Sequence, residues 1–569
     1  MRRRNAWLIF AITLAIFAVL FLFPLGMVIK GGFIDENGKV TSRFVVGVFQ
    51  NPIYAQGLLN SLGIALGTTA LVTLIAVPLA VLATRYDFPG KSIFSALVLV
   101  PMILPPFVGA IGFTQILGQY GVINSLFHLG PIDWLGNARY FGVIILQALG
   151  LYPVLYLNVS AALANIDPAM EQAAENLGCT GFARFRRITL PLIMPGLFAG
   201  GTIVFIWSFT ELGTPLIMNY QRCTPVQVFD ALKEIGSNPF PYALVFVMLV
   251  ASVGLYTISK LAFGRASYAM QAKATVQSAT EKVTGFKAFL VLLPFLLVTF
   301  VALLPHMGVV LTSFARPGSW YQSVLPRAFT TANYTEALGH SMTVSSIGNS
   351  LLFSSLAVIF NMLLGISIAF VVVRSTLRFR GLLDALAMLP LAVPGIVMAF
   401  GYLAISSYLA KVPQVKDSAI LKTLLDVQTN PTLFLVIAYG IRRLPYMVRS
   451  AVAGLQQTSA TLEEASANLG ASSLTTVRRI TVPLILANLI AGAMLAFAFS
   501  MLEVSDSLML AQRQDYWPIT KTIYELFQLI GTGKYIASAL GVWAMVFLGV
   551  TILGASLILR KKLGALFRV

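Results

Sequence analysis

Cysteine, histidine and charge are all scarce in this 569-residue chain, and each shortage removes a class of function. The two cysteines, Cys179 and Cys223, fall on opposite sides of a membrane in the topology derived below, so no disulfide joins them in this reading. The histidines at 128, 306 and 340 lack the spacing of metal ligands and read as scattered loop or interface residues, so no metal site is assigned. Charged residues make up 11% of the chain, against roughly 25% in an ordinary soluble protein. With 57% hydrophobic residues and a mean hydropathy of +0.84, the chain belongs in a membrane. A nucleotide site of its own is also missing. A P-loop needs Gly-x-x-x-x-Gly-Lys-Ser/Thr to wrap phosphates and place a hydroxyl on Mg²⁺. The nearest match, Gly531-Thr532-Gly533-Lys534, has neither the first glycine at the right distance nor the following hydroxyl. No catalytic constellation is present, so no residue is assigned a catalytic role.

What the chain does have is length in apolar runs. Segments of about twenty residues, enough to cross roughly 30 Å of hydrocarbon, fall near 7–29, 55–84, 92–118, 140–162, 190–212 and 240–262. A second series follows near 288–314, 346–373, 381–408, 432–455, 483–511 and 535–559. The expected fold is an all-α membrane protein of twelve transmembrane helices, because a bilayer requires an internally satisfied backbone and no barrel-type alternation is seen. Met1-Arg-Arg-Arg and the run behind it read as a retained first helix, with no clear cleavage site. The formal charge of +18 raises the question of nucleic acid, but the distribution of the basic residues answers it. With the amino terminus inside, 22 of the 39 Lys and Arg lie on inner segments, among them Arg85, Arg186, Arg187, Arg374, Arg478 and Arg479. The positive-inside rule then puts both termini in the cytoplasm.

The second series copies the first. Asn60-Ser61-Leu62, Arg85, Pro101, Pro105 and Gly112 match Asn349-Ser350-Leu351, Arg374, Pro390, Pro394 and Gly401 at an offset of 289. Pro153, Leu163 and Glu211 match Pro445, Leu455 and Glu503 at 292. Six helices, an even number, separate equivalent points, so the halves are parallel repeats about an axis along the membrane normal. We divide the chain into a first repeat (1–263), a polar cytoplasmic linker (264–287) and a second repeat (288–569). The outer loops are too short for a sizeable domain, so any capture of ligand at the surface falls to another protein.

The strongest repeat is polar. Glu171-Gln-Ala-Ala-Glu-Asn-Leu-Gly178 followed by Arg186-Arg187-Ile188-Thr189-Leu190-Pro191 recurs as Glu463-Glu-Ala-Ser-Ala-Asn-Leu-Gly470 followed by Arg478-Arg479-Ile480-Thr481-Val482-Pro483. In each copy a short helix former precedes a glycine that stops it, and the proline is expected to start the next membrane helix. The loops 163–189 and 456–482 are thus expected to be compact helix-turn-helix units on the cytoplasmic surface, small enough in side chain for a partner to approach.

Glu-x-Ala-Ala-x-x-x-Gly followed by Ile-x-Leu-Pro resembles the cytoplasmic loop of the membrane subunits of binding-protein-dependent ABC importers, and the likeness covers nearly the whole chain. Two copies on one chain are similar to the fused permeases for ferric iron, with relatives for thiamine and aminoethylphosphonate. The resemblance implies a permease of a bacterial inner membrane, not an enzyme itself, with two ABC ATPase subunits that carry the ATP and Mg. It also implies an extracytoplasmic solute-binding protein, and no cofactor on this chain. Carried over by position, Glu171, Gln172, Ala173, Ala174 and Gly178 serve one ATPase, and Glu463, Glu464, Ala465, Ser466 and Gly470 the other. Gln172 and Ser466 depart from the family's usual Glu and Ala. Ferric iron leads the solutes the resemblance implies, ahead of aminoethylphosphonate, thiamine or a polyamine. A secondary transporter driven by an ion gradient is the rival of another class, but it has no use for two matched docking loops.

Three carboxylates fall within or beside the spans. Glu211 and Glu503 are equivalent and lie near the outer ends of the fifth and eleventh spans, with Asp506 one turn beyond. Such residues normally face a pathway or a partner, because a charge at mid-bilayer costs about 2.5–3.5 kcal/mol on insertion scales. They are candidates for the path or its gate, against ordinary interfacial carboxylates. Arg442 and Arg443 lie deep in the tenth span, opposite Gly150 and Leu151 of the first half; an ion pair with Glu503 or a lipid headgroup contact is expected. Pro101, Pro105 and Pro106, with Pro390 and Pro394, are expected to kink the third and ninth helices.

Overall fold

The computed structural model describes residues 3–35, 38–103, 106–136, 139–234, 238–269 and 280–558. The first half holds α1 (Arg4–Phe33), α2 (Pro52–Arg85), the broken α3 (Lys91–Met102 and Pro106–Leu126), α4 (Arg139–Ala164), α5 (Gly181–Phe209) and α6 (Phe240–Leu261). The second holds α7 (Gly285–Phe314), α8 (Ser341–Arg374), the broken α9 (Arg380–Leu391 and Gly395–Leu409), α10 (Thr432–Gln457), α11 (Ser473–Met501) and α12 (Gly533–Gly554). Among the described residues nine of these are long and apolar enough to cross a membrane unaided, and the two broken pairs make eleven. The twelfth, α10, has 26 residues, about 39 Å at 1.5 Å each, and is less apolar because it carries Arg442, Arg443 and Arg449.

The prolines do more than kink. The two pieces of α9 meet at 97° and those of α3 at 94°. In α9, Pro390 sits in a tight turn at Leu389–Leu391 and Pro394 caps the second piece from an extended conformation. Each removes a helical donor, and two within five residues end the helix; Leu389 before Pro390 stays helical, and the chain opens out at Pro394. Pro105 lies outside the described residues.

Each half lends its first span to the other. The Phe23–Phe33 stretch of α1 packs on the Gly395–Leu409 piece of α9, and α7 packs on the Pro106–Leu117 piece of α3. The crossings depend on two equivalent glycines. A Cβ on Gly112 would lie 1.9 Å from the Pro305 carbonyl oxygen, and one on Gly401 would lie 2.8 Å from that of Pro24. Close backbone approach at small residues replaces the hydrophobic drive that lipid cannot supply. Tyr402 completes the second crossing by donating its hydroxyl to the Leu20 carbonyl at 2.8 Å.

The repeated Asn-Ser pair has a shared structural job. Ser61 accepts from the Thr224 amide at 2.9 Å and Ser350 from the Ile519 amide at 2.7 Å, each capping a short helix, Thr224–Asp230 or Ile519–Gln528. Both helices lie at the end of the bundle opposite the repeated polar loops. The linker is less of a loop than expected: the α6 helix runs on to Ala269, and Glu281–Lys282 pairs in parallel with Tyr86–Asp87. Its residues 270–279 lie outside the described residues, as do the basic residues from 559 onward.

Candidate functional site

The two polar loops repeat in three dimensions. The first motif helix, Pro168–Asn176, is capped by Asp167, whose carboxylate accepts from the Ala169 amide at 2.9 Å. It ends with Gly178 at φ +80, with the Cys179 amide bonded to the Ala174 carbonyl and the Gly178 amide to that of Glu175. The second, Thr461–Asn468, ends with Gly470 at φ +85 and the same two bonds, Ala471 to Ser466 and Gly470 to Ala467. This is the Schellman closure, which requires a left-handed residue at that place. A Cβ on either glycine would meet nothing within 4 Å, so the sign of φ, not crowding, demands glycine.

The proline does not start the next helix. The chain turns through a π-helical turn, Phe185–Thr189 or Val477–Thr481, and passes unbroken into the membrane span. The wider turn makes room for the ring of Pro191 or Pro483 and absorbs its missing donor.

The motif residues divide into two groups. Glu171 and Glu463 face their own chain: Arg85, at the end of α2, donates to Glu171 at 2.6 Å and to Thr189 at 2.9 Å, and Thr189 donates to Glu171 at 2.8 Å. In the second half Arg374 and Thr481 reach Glu463 at 3.2 and 3.3 Å, and Arg374 also holds the Thr458 carbonyl at 2.9 Å. Each clamp ties the motif helix to two membrane helices at once. Ala174 and Ser466 are likewise turned inward and buried, so their small size serves the loop's own packing rather than the approach of a partner. Gln172, Ala173 and Gly178, with Glu464, Ala465 and Gly470, are exposed.

Sequence reasoning missed the apolar part of this surface. Leu177 and Phe182 are 87% and 77% exposed, and their equivalents Leu469 and Leu474 are 89% and 78% exposed. Met170 and Leu462, also matched and about half exposed, extend the exposed apolar group on each loop. The recurring Leu before each glycine was the available signal.

Between the halves, at the motif end, lies a cavity of about 830 Å³ that reaches Asn165, two residues before the Asp167 cap. Its polar lining includes Asn158, Thr202, Lys260, Asp384 and Arg449. A second cavity of about 320 Å³ shares Asn158, Met388 and Arg449 with it and continues to Trp207 and Tyr446. Those two residues also border a small niche beneath Arg442 and Arg443. Through these shared residues the three spaces adjoin one another up to Arg442 and Arg443.

At that level both halves break their helix in the same way. Glu211 follows α5 and accepts from the Thr214 amide at 2.9 Å; Glu503 follows α11 and accepts from the Asp506 amide at 3.5 Å. The two breaks touch, since a Cβ on Gly213 would lie 3.0 Å from Val504. Arg442 and Arg443 each bind one oxygen of Glu503, and Arg442 lies 3.6 Å from Asp506. The structure therefore brings Glu503, Asp506 and both arginines into one buried cluster and leaves Glu211 with neutral neighbours.

The comparisons agree with this architecture. The family model for the binding-protein-dependent transport system inner membrane component matches twice, at residues 73–266 and 361–561. A putative ferric transport system permease protein of Haemophilus influenzae is 27% identical over 82% of this chain and 70% of its own length. The ferric transport system permease of Actinobacillus pleuropneumoniae is 27% identical over 81% of this chain and 64% of its own. A putative 2-aminoethylphosphonate transport system permease of Salmonella typhimurium is 26% identical, over 46% of this chain and 92% of its own length. With two copies of the domain that together span most of its length, the chain belongs to the binding-protein-dependent transport system inner membrane components, and is a fused, multi-pass permease of that family.

Proposed function

We propose that the chain supplies the whole translocation path of an ATP-driven importer. Two ATPase subunits dock on the motif loops, one around Leu177 and Phe182 and the other around Leu469 and Leu474, with the loops and both termini in the cytoplasm. An extracytoplasmic binding protein delivers the solute to the opposite face. The observation that carries this reading is the pair of clamps: a push on either motif helix reaches α2 and α5, or α8 and α11, through Arg85–Glu171–Thr189 or Arg374–Glu463–Thr481. Alternating access then needs only that the halves tilt about the axis between them, opening and closing the cavity at the motif end.

For the solute, ferric iron is the first reading, supported by the names of the two long relatives. Aminoethylphosphonate is the second; Lys260 of the cavity would suit an anionic group of that kind, as would Arg449 on exchanging its partner Asp384, 3.3 Å away. The test is reconstitution in liposomes with the ATPase and binding protein, measuring ATP hydrolysis and uptake for each solute. Uptake that proceeds with no ATPase present refutes the reading in favour of an ion-driven carrier.

A further inference from the structure

At the end opposite the motif loops the two halves meet through the paired short helices. Phe229 of the first packs edge-on against Tyr524 of the second, ring centres 6.1 Å apart. The pairing follows the repeat: counting from the equivalent caps at Thr224 and Ile519, Phe229 corresponds to Tyr524 and Asp230 to Glu525. Among the positions that differ, one changes an apolar side chain to a charged one. Where the first half has Val226, the second has Lys521, and this lysine is only 8% exposed.

Lysine is almost never buried without a partner. The Lys521 ammonium lies 5.9, 5.8 and 5.8 Å from the ring centres of Phe229, Trp517 and Tyr524, and 2.8 Å from a Glu525 carboxylate oxygen. Three aromatic faces and one carboxylate form the arrangement by which proteins bind free ammonium ligands, the ring quadrupoles attracting the cation from several sides. Every wall of this box comes from residues other than the lysine, and one wall, Phe229, comes from the other half. Glu525 is one-third exposed, so the box has an open side.

We propose that the box of Phe229, Trp517, Tyr524 and Glu525 is an entry site for a primary ammonium group of the transported solute, and that Lys521 fills it while that end of the path is closed. The proposal rests on the import reading for its direction and, of the solutes named for it, selects the amine-bearing aminoethylphosphonate class over ferric iron. An arriving ammonium exchanges with that of Lys521, which swings out to water with its charge intact. The Lys521 contact with Phe229 across the seam is then replaced by one to the incoming ammonium, while the ring contact between Phe229 and Tyr524 remains.

The experiment uses the purified full-length chain in nanodiscs and the emission of Trp517, with Trp517→Phe to subtract the other tryptophans. Lys521→Ala empties the box, and n-propylammonium restores the atoms removed; n-propanol is the neutral control. Expected is a Trp517 response to n-propylammonium in wild type, at least tenfold more sensitive in Lys521→Ala, absent with n-propanol, and weakened by Phe229→Leu. Lys521→Met, which fills the box with a neutral chain, should respond no better than wild type and also serves if the alanine variant misfolds. A wild-type protein that ignores n-propylammonium at every concentration overturns the proposal, since Lys521 is then a fixed strut; so does an equal response to n-propanol. No ATPase is needed, so the two readings fail separately: a box that binds ammonium in a complex that imports nothing refutes import, and an importing complex whose box ignores ammonium refutes only this inference.

Discussion

The first and second halves make the same contact with the sizes of the side chains exchanged. In the first, Pro106 covers Gly150, whose Cβ would lie 2.8 Å from the proline ring. In the second, the equivalent of Pro106 is Gly395 and that of Gly150 is Arg442, and a Cβ on Gly395 would lie 1.9 Å from the guanidinium. One backbone scaffold thus carries a neutral contact on one side and a buried charge on the other. The charge is tolerated because the neighbouring helix gave up its side chain and because Glu503, already present as the equivalent of Glu211, supplies the opposite sign. At the motif loops the halves behave otherwise: caps, clamps and exposed apolar pairs are all kept. The motif loops are thus matched between the halves, and the buried contact at Gly395 and Arg442 is not.

Four substitutions test that contrast. The largest effect is expected from Glu503→Gln, which strips Arg442 and Arg443 of their carboxylate; breaking a buried pair costs about 3–5 kcal/mol, whereas Glu211→Gln keeps an oxygen to accept from the Thr214 amide and should cost at most about 1 kcal/mol. Thermal melting of the purified variants reads the difference, and equal shifts would mean that the arginines are satisfied without Glu503. Next is Gly395→Ala, expected to destabilise by about 1–3 kcal/mol through overpacking and to be relieved by adding Arg442→Gly, a pair that melting of single and double variants resolves.

Third, Arg85→Glu should reduce ATP-driven uptake at least tenfold, and the exchange Arg85→Glu with Glu171→Arg should recover most of it. The matching exchange at Arg374 and Glu463 should recover less, because Arg374 also holds the Thr458 carbonyl. If both exchanges leave ATP hydrolysis and uptake as low as the single variants, the clamps do not transmit motion. The smallest effect is that of Gly178→Ala and Gly470→Ala, each expected to cost about 1 kcal/mol for a left-handed alanine and to be alike in both halves. Uptake per ATP hydrolysed, compared between the two variants, reveals whether the loops are interchangeable.

Much of this was legible in the sequence because it rests on local chemistry. Span length follows from apolar runs, the repeat from matched residues at 289 and 292, and the Schellman turn from a glycine after a short helix former. The clamp was half visible: Arg85 and Arg374 were noted as equivalent, and Glu171 and Glu463 as part of the motif, but nothing in the chain says that 86 or 89 residues close into one ion pair. The inward turn of Ala174 and Ser466 was not readable either, since a small residue looks the same whether it faces a partner or its own loop. Nor was the π turn before Pro191, because a proline near a helix start normally marks the first turn.

That this protein lies in a membrane, that it is built twice, and where its two polar loops fall are written in its residues, since hydrophobicity and repetition are properties of residues and their order. Which charges meet is a matter of folding. Arg442, Arg443, Glu503 and Asp506 come from different helices, and so do Lys521 and Phe229 at the far seam. Electrostatic energy depends on distance through space and on the loss of water, and neither quantity exists until the helices have packed.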